Sequence, residues 1–162
     1  AQLGEQGFVS CLVAEGAAKA GRDPSEVPLT MYIRVCVDED VAAARQALGA
    51  QVLGYAMSRP NTPVAGYRGL FAQMGFDEAL TELEARRDAG EKMPALVDAA
   101  PDELLNAVGY YGPAEGAAQA YARLTPGLDE TVVRVVTARR GPEPVIEAMA
   151  ALTPARIRAA LG

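Results

Sequence analysis

Strict alternation of apolar and polar positions is clearest over Leu29 to Val37, which reads LTMYIRVCV. Leu29, Met31, Ile33, Val35 and Val37 fall on one face, and Thr30, Tyr32, Arg34 and Cys36 on the other. The run predicts a strand, and its partly apolar second face suits a parallel sheet covered on both sides. One other stretch reads this way, TVVRVVT at Thr131 to Thr137. Elsewhere the spacing is helical. A helix is predicted from Phe8 to Ala20, stopped by Gly21. Asp38 has the chemistry of an N-cap, with Glu39 and Asp40 in the first turn, ahead of the stripe Val41, Ala44, Leu48, Val52 and Tyr55. Ser58 to Gly66 carries Pro60, Asn61 and Pro63 and is predicted as a loop. Tyr67, Leu70, Phe71 and Met74 then mark a short helix ended by Gly75, and Asp77 caps the next, with Leu80 and Leu83 inward. Pro101 opens a helix bearing Leu104, Leu105 and Val108, closed by Gly109. Further helices run from Gly112 and Pro113 to Leu124, around Val145, Ile146, Met149 and Leu152, and from Pro154.

Two strands separated by roughly 90 mostly helical residues pair most simply side by side and in parallel. Two parallel strands alone are not a viable sheet, so the pattern predicts either further strands supplied from outside this sequence or an obligate partner. An initial alanine rather than methionine fits simple methionine removal and also a chain cut from something longer.

Composition narrows the chemistry. A net charge of -6 with 50% apolar residues reads as one soluble acidic domain, against disorder and against a nucleic-acid binder. The absence of histidine excludes Ser-His-Asp and Cys-His nucleophile systems, histidine bases and histidine zinc sites. Cys11 and Cys36 have no metal-ligand spacing, and with neither a signal-like start nor a membrane span they fit a reducing cytoplasm. The acidic residues, among them Asp77, Glu78, Asp98 and Asp102, read as helix caps and exposed faces, so no metal is assigned. GRDP at Gly21 to Pro24 reads as a helix stop and turn. Tyr110 and Tyr111 read as packing at a helix end. Arg34 inside a strand must point to a mouth, a lumen or a salt-bridge partner, and no partner can be named from the sequence.

Several segments in order carry a resemblance: EGAAKAGRDPSEVPL before the first strand, DEDVAAARQAL after it, LFAQMGF at Leu70 to Phe76, VDAAPDELLNAVGYYGPAEG at Val97 to Gly116, and AQAYARL before the last strand. The chain resembles the C-terminal region of the luciferase-like monooxygenase family, and within it the branch using deazaflavin coenzyme F420. The resemblance implies an α/β fold, the C-terminal fragment of a (β/α)8 TIM-type barrel. This would be a single partial domain over 1–162, mostly helical with two parallel strands and a helical insertion over 38–109. A complete barrel takes about 250 residues.

The function the resemblance implies is that of a segment of a flavin- or deazaflavin-dependent oxidoreductase. It would transfer a hydride to, or activate oxygen on, a small organic substrate, with coenzyme F420 or alternatively FMN held mostly by residues outside this chain. No catalytic residue is assigned, and the chain alone is expected to be inactive. Arg139 and Arg140 follow the last strand, where a barrel has its mouth, and are the cofactor-binding candidates as phosphate clamps. Tyr55 and Tyr67 flank the proline loop and are the substrate-pocket candidates, although the stripe containing Tyr67 also suits plain core packing. The expected partners are a small-molecule substrate and further copies of the chain through unpaired strand edges, with no nucleic acid and no membrane. The alternative is a non-catalytic helical module that binds a protein partner.

Overall fold

A computed structural model describes residues 2–58 and 66–162; most of the predicted proline loop, residues 59–65, lies outside them. Along the chain run α1 (Gln2–Lys19), β1 (Thr30–Val37), α2 (Val41–Ala56), α3 (Gly66–Phe71), α4 (Asp77–Asp88), α5 (Met93–Ala99) and α6 (Asp102–Val108). They are followed by β2 (Gly109–Gly112), α7 (Ala114–Arg123), β3 (Glu130–Val135), α8 (Glu143–Ala151) and α9 (Pro154–Leu161). The strands form one parallel sheet in the order β2-β1-β3. The two predicted strands are neighbours, with Thr30 opposite Glu130 and Arg34 opposite Arg134.

Among the described residues the sheet has three strands where two were expected. Gly109 closes α6 as its C-cap and at the same residue opens β2, with φ at -175° and Arg34 as its register partner. A glycine is needed there for closeness, not for backbone freedom. A Cβ at Gly109 would stand 2.7 Å from the Arg34 carbonyl oxygen and 3.2 Å from the Leu48 side chain. GYYG is too short to show alternation, so only tertiary pairing reveals it as a strand.

Two predicted caps also move. The helix after β1 is capped by Asp40, whose side chain accepts from the Ala43 N–H, whereas Asp38 accepts from the Asp40 N–H and turns to the strand ends. Asp77 makes no cap bond. It pairs instead with buried Arg68 at 2.8 Å, and Glu84 approaches the same guanidinium at 3.2 Å. Gly75, at φ 91°, supplies the left-handed kink between α3 and α4.

The sheet separates two cores. Ile33, Val35 and Val37 pack against Ala117, Tyr121 and Leu124 of the α7 segment and Ala148, Ala151 and Leu152 of the α8 segment. On the opposite face Cys36 and Val136 meet the helices of residues 41–108 through Leu48, Val52, Leu53, Leu80, Leu96, Leu104 and Leu105. Burying each such leucine stabilises by about 1.5–3 kcal/mol, so the helical excursion holds its own core. Cover on this second face stops short. Thr30 and Tyr32 of β1 and Val132 of β3 stay exposed on it, and β2 pairs only with Arg34–Val37, leaving the other half of that β1 edge open.

Candidate functional site

Polar side chains rarely occupy the interior of a parallel sheet, and here they gather where its cover ends. Tyr32 and Arg34 alternate onto one face of β1, and Arg134 comes to the same place from β3 because it is the register partner of Arg34. Tyr55 arrives from the last turn of α2 and Tyr67 from α3. Their rings lie 5.2 Å apart, and Phe71 extends the stack at 6.1 Å.

Both guanidiniums sit over this aromatic set. Arg34 Cζ is 5.0 Å from the Tyr32 ring, 5.0 Å from Tyr55 and 5.7 Å from Tyr67; Arg134 Cζ is 5.3 Å from Tyr32 and 5.7 Å from Tyr55. Each contact is a cation–π attraction, stronger where water is excluded. Arg34 is 4% exposed. Its Nη2 reaches the Tyr32 hydroxyl at 3.4 Å, but its Nε has no acceptor among the described residues. Arg134 Nη2 donates to the Tyr55 hydroxyl at 3.3 Å.

The Tyr32 and Tyr67 hydroxyls share a hydrogen bond of 2.6 Å. The bond from Tyr67 pulls the Tyr32 phenol below its ordinary pKa, burial opposes this, and the two arginines add to the fall. Tyr67 is pushed up, first by the same bond to Tyr32 and then by burial. Beside the pair lies an apolar groove of about 350 Å³. Tyr32, Arg34 and Tyr67 line one part of it, and Leu70, Phe71, Met74 and Leu124 line the rest.

A second group collects at the C-terminal ends of β1 and β3. Arg139 Nε donates to Asp38 at 2.7 Å, and its Nη2 donates to Glu147. Asp38 is 6% exposed, and the Arg139 bond holds its carboxyl below the usual range despite its burial. Nearby Cys36 is pushed up to about 11, chiefly by burial. A shallow hollow here is lined by Asp38, Glu39, Arg139 and Glu147, three carboxylates around one guanidinium. As placed, these residues do not fit the phosphate of a flavin or deazaflavin, which would have to displace both acids from Arg139. Arg140 lies on the exposed turn beside it and makes no ion pair among the described residues.

Of the four candidate residues read from the sequence, the structure packs the Tyr55 ring against Tyr67, which lines the groove, and leaves Arg139 and Arg140 at the strand ends. The sequence reading singled out Arg34 without a partner and passed over Tyr32 and Arg134. Their signal was present: MYIRVCV and TVVRVVT, laid side by side in parallel, place arginine beside arginine.

Among the described residues no helix is long and apolar enough to cross a membrane. No curated protein and no solved structure matches the chain. The family model described as luciferase-like monooxygenase matches residues 10–129, more than half of the 162. That match spans β1, the helical excursion, β2 and the tyrosines of the groove, and with it the chain belongs to the luciferase-like monooxygenase family, a family of oxidoreductases.

Proposed function

We propose that this chain is the C-terminal part of a luciferase-like (β/α)8 barrel, one partial domain over 1–162 with 38–109 as its helical insertion. Its parent is a cytoplasmic oxidoreductase that uses coenzyme F420 or FMN on a small organic substrate. The observation that carries the reading is the sheet itself: parallel strands whose outer edges have no partner among the described residues, in a chain whose family builds oxidoreductases.

In this reading the chain supplies the substrate side of the site. The groove beside Tyr55 and Tyr67 takes the substrate, Tyr32 and Tyr67 hold a proton at their shared bond, and Arg34 and Arg134 set the local charge. The cofactor, when bound, supplies the hydride or oxygen chemistry. Its phosphate contacts come from strands outside this sequence, because Arg139 is held by Asp38 and Glu147.

The test compares the 162-residue chain with a longer polypeptide carrying the residues encoded upstream. Each is titrated with FMN and coenzyme F420 and assayed for turnover of the reduced forms. Tight binding and turnover confined to the longer polypeptide are expected. Turnover by the short chain alone, or by neither, overturns the proposal. Size-exclusion chromatography of the short chain is expected to show self-association through its strand edges.

A further inference from the structure

We infer that the chain forms a two-fold dimer through the outer edge of β3, which pairs antiparallel with β3 of a second copy about Val132. The inference makes specific the self-association expected of the 162-residue chain. It rests on that strand edge and holds whether or not the groove takes a substrate.

β3 ends the strand order β2-β1-β3, and among the described residues its outer edge meets no other strand. The Glu130 N–H donates to the Leu29 carbonyl and the Val136 N–H to the Val35 carbonyl, so the even-numbered residues of β3 turn their backbone groups toward β1. Backbone groups alternate sides along a strand, and Thr131, Val133 and Val135 therefore turn theirs outward. Such a row of unpaired N–H and C=O groups is a template for another strand.

The side chains select the partner and the register. The strand reads Glu130, Thr131, Val132, Val133, Arg134. With the two-fold at Val132, Glu130 stands opposite the partner's Arg134 and Arg134 opposite the partner's Glu130. Thr131 then faces the partner's Val133, and these outward-pointing residues exchange backbone hydrogen bonds. The charged residues and Val132 fall at the non-hydrogen-bonded pairs, where opposed side chains come closest. Neither Glu130 nor Arg134 makes an ion pair among the described residues; Glu130 accepts from the Thr30 hydroxyl, and Arg134 donates to Tyr55 through Nη2. Moving the two-fold to Val133 sets Arg134 against the partner's Val132 and loses both charge pairs. Moving it to Arg134 opposes two arginines, which is destabilising. A two-fold contact uses the same edge of both copies, so it closes at two and does not propagate.

Helix α8 carries a second observation on the same side. Pro144, Ala148 and Ala151 face inward, while Val145, Ile146 and Met149 are exposed. Glu147 lines the hollow shared with Ala114 of α7, and Val145 and Met149 each lie about 200° round the helix from it, on the flank away from α7. α7 packs against β2, and β3 lies across β1 from β2, so this apolar flank lies on the β3 side. Under the two-fold it meets its own copy above the joined strands and covers Val133 and Val135, which α8 leaves half-buried. A strand supplied by a longer polypeptide competes for the same edge, so the dimer is a property of the 162-residue chain.

The chain is followed by sedimentation velocity over a range of concentrations, and a reversible species of twice 16.9 kDa is expected. Glu130→Arg and Arg134→Glu each turn attractive contacts repulsive and are expected to weaken the dimer at least about tenfold, while an equimolar mixture of the two variants associates as the parent does. In a Cys11→Ser background, which leaves only buried Cys36, oxidised Val132→Cys is expected to give a disulfide-linked dimer and Thr131→Cys is not, because position 132 alone meets itself across the two-fold. If Arg134→Glu fails to fold, Glu130→Arg and the two cysteine variants decide. A monomer at every concentration, an open-ended series of larger assemblies, a dimer indifferent to Glu130→Arg, or equal crosslinking at the two positions each overturns the inference. Those outcomes leave the oxidoreductase proposal to its cofactor titration, and failure of that titration leaves the dimer standing.

Discussion

Replacing Gly109 by alanine should destabilise the chain by about 3 kcal/mol, although it adds a single methyl group. The new Cβ would stand 2.7 Å from the Arg34 carbonyl oxygen, closer than such contacts allow, with the Leu48 methyls at 3.2 and 3.4 Å. Leu48 can shift its rotamer, but the carbonyl belongs to β1 and cannot move without opening the β1–β2 pairing. Overpacking of this kind costs about 1–3 kcal/mol, and the fixed obstacle puts Gly109 at the upper end. For a chain of this size each kcal/mol lowers Tm by about 2–4 °C, so a fall of about 6–12 °C is expected by circular dichroism. Gly54→Ala is the control. Gly54 is exposed inside α2, nothing lies within 4 Å of an added Cβ, and alanine there should stabilise by about 0.5–1 kcal/mol. The same methyl group therefore acts with opposite sign at the two positions. A Gly109→Ala variant as stable as the parent, or two variants shifting Tm in the same direction, would refute the placement of β2.

Arg45 ties α2 to the end of α5, donating to the Val97 and Ala100 carbonyls at 2.6 and 2.7 Å and to Asp102 at 2.8 Å. Arg45→Met should cost about 3 kcal/mol in urea unfolding through the two carbonyl bonds, and Asp102→Asn under about 1 kcal/mol because that carboxylate is largely exposed; equal losses would contradict the assignment. Asp38 has a folded pKa depressed by Arg139, so its stabilising contribution is present above the unfolded value near about 3.9 and is lost as pH falls through the folded value. Asp38→Asn should flatten the acid limb of the stability profile, and an unchanged limb would be the contrary result. Titration with a thiol reagent at neutral pH should modify exposed Cys11 and spare Cys36, whose burial and raised pKa near about 11 keep it protonated; two equivalents reacting at one rate would contradict this.

How far the sequence could be read follows from how local each signal is. β1 and β3 are β-branched runs long enough to alternate, and their parallel pairing followed from the helical stretch between them. β2 escaped because two glycines flank two tyrosines, a pattern equally suited to a helix end, and its identity lies in contacts with Arg34 and Leu48 far back in the chain. Asp38 reads as a helix cap because nothing local shows that Arg139 will stand 2.7 Å away, 101 residues on. Tyr55 and Tyr67 were legible as a pair flanking one loop. Tyr32 was absorbed into the alternation of β1, and Arg134 became visible only once the register was known.

The placement of chemistry follows from the uneven cover of the sheet. Parallel strands are normally buried on both faces, and a charged residue in their interior is then destabilising. Here α7 and α8 cover one face, while the helices of residues 41–108 reach the other only near Cys36 and Val136. Toward the N-terminal ends of the strands the cover gives way to Tyr32, Tyr55 and Tyr67, whose rings shield arginine faces from water and whose hydroxyls remain available for hydrogen bonding. An apolar residue in place of Arg34 would extend the core and close the groove; an arginine without the rings would turn to solvent. The combination holds charge at the boundary between a packed core and an open groove, where electrostatic attraction is stronger than in bulk water and a ligand can still enter.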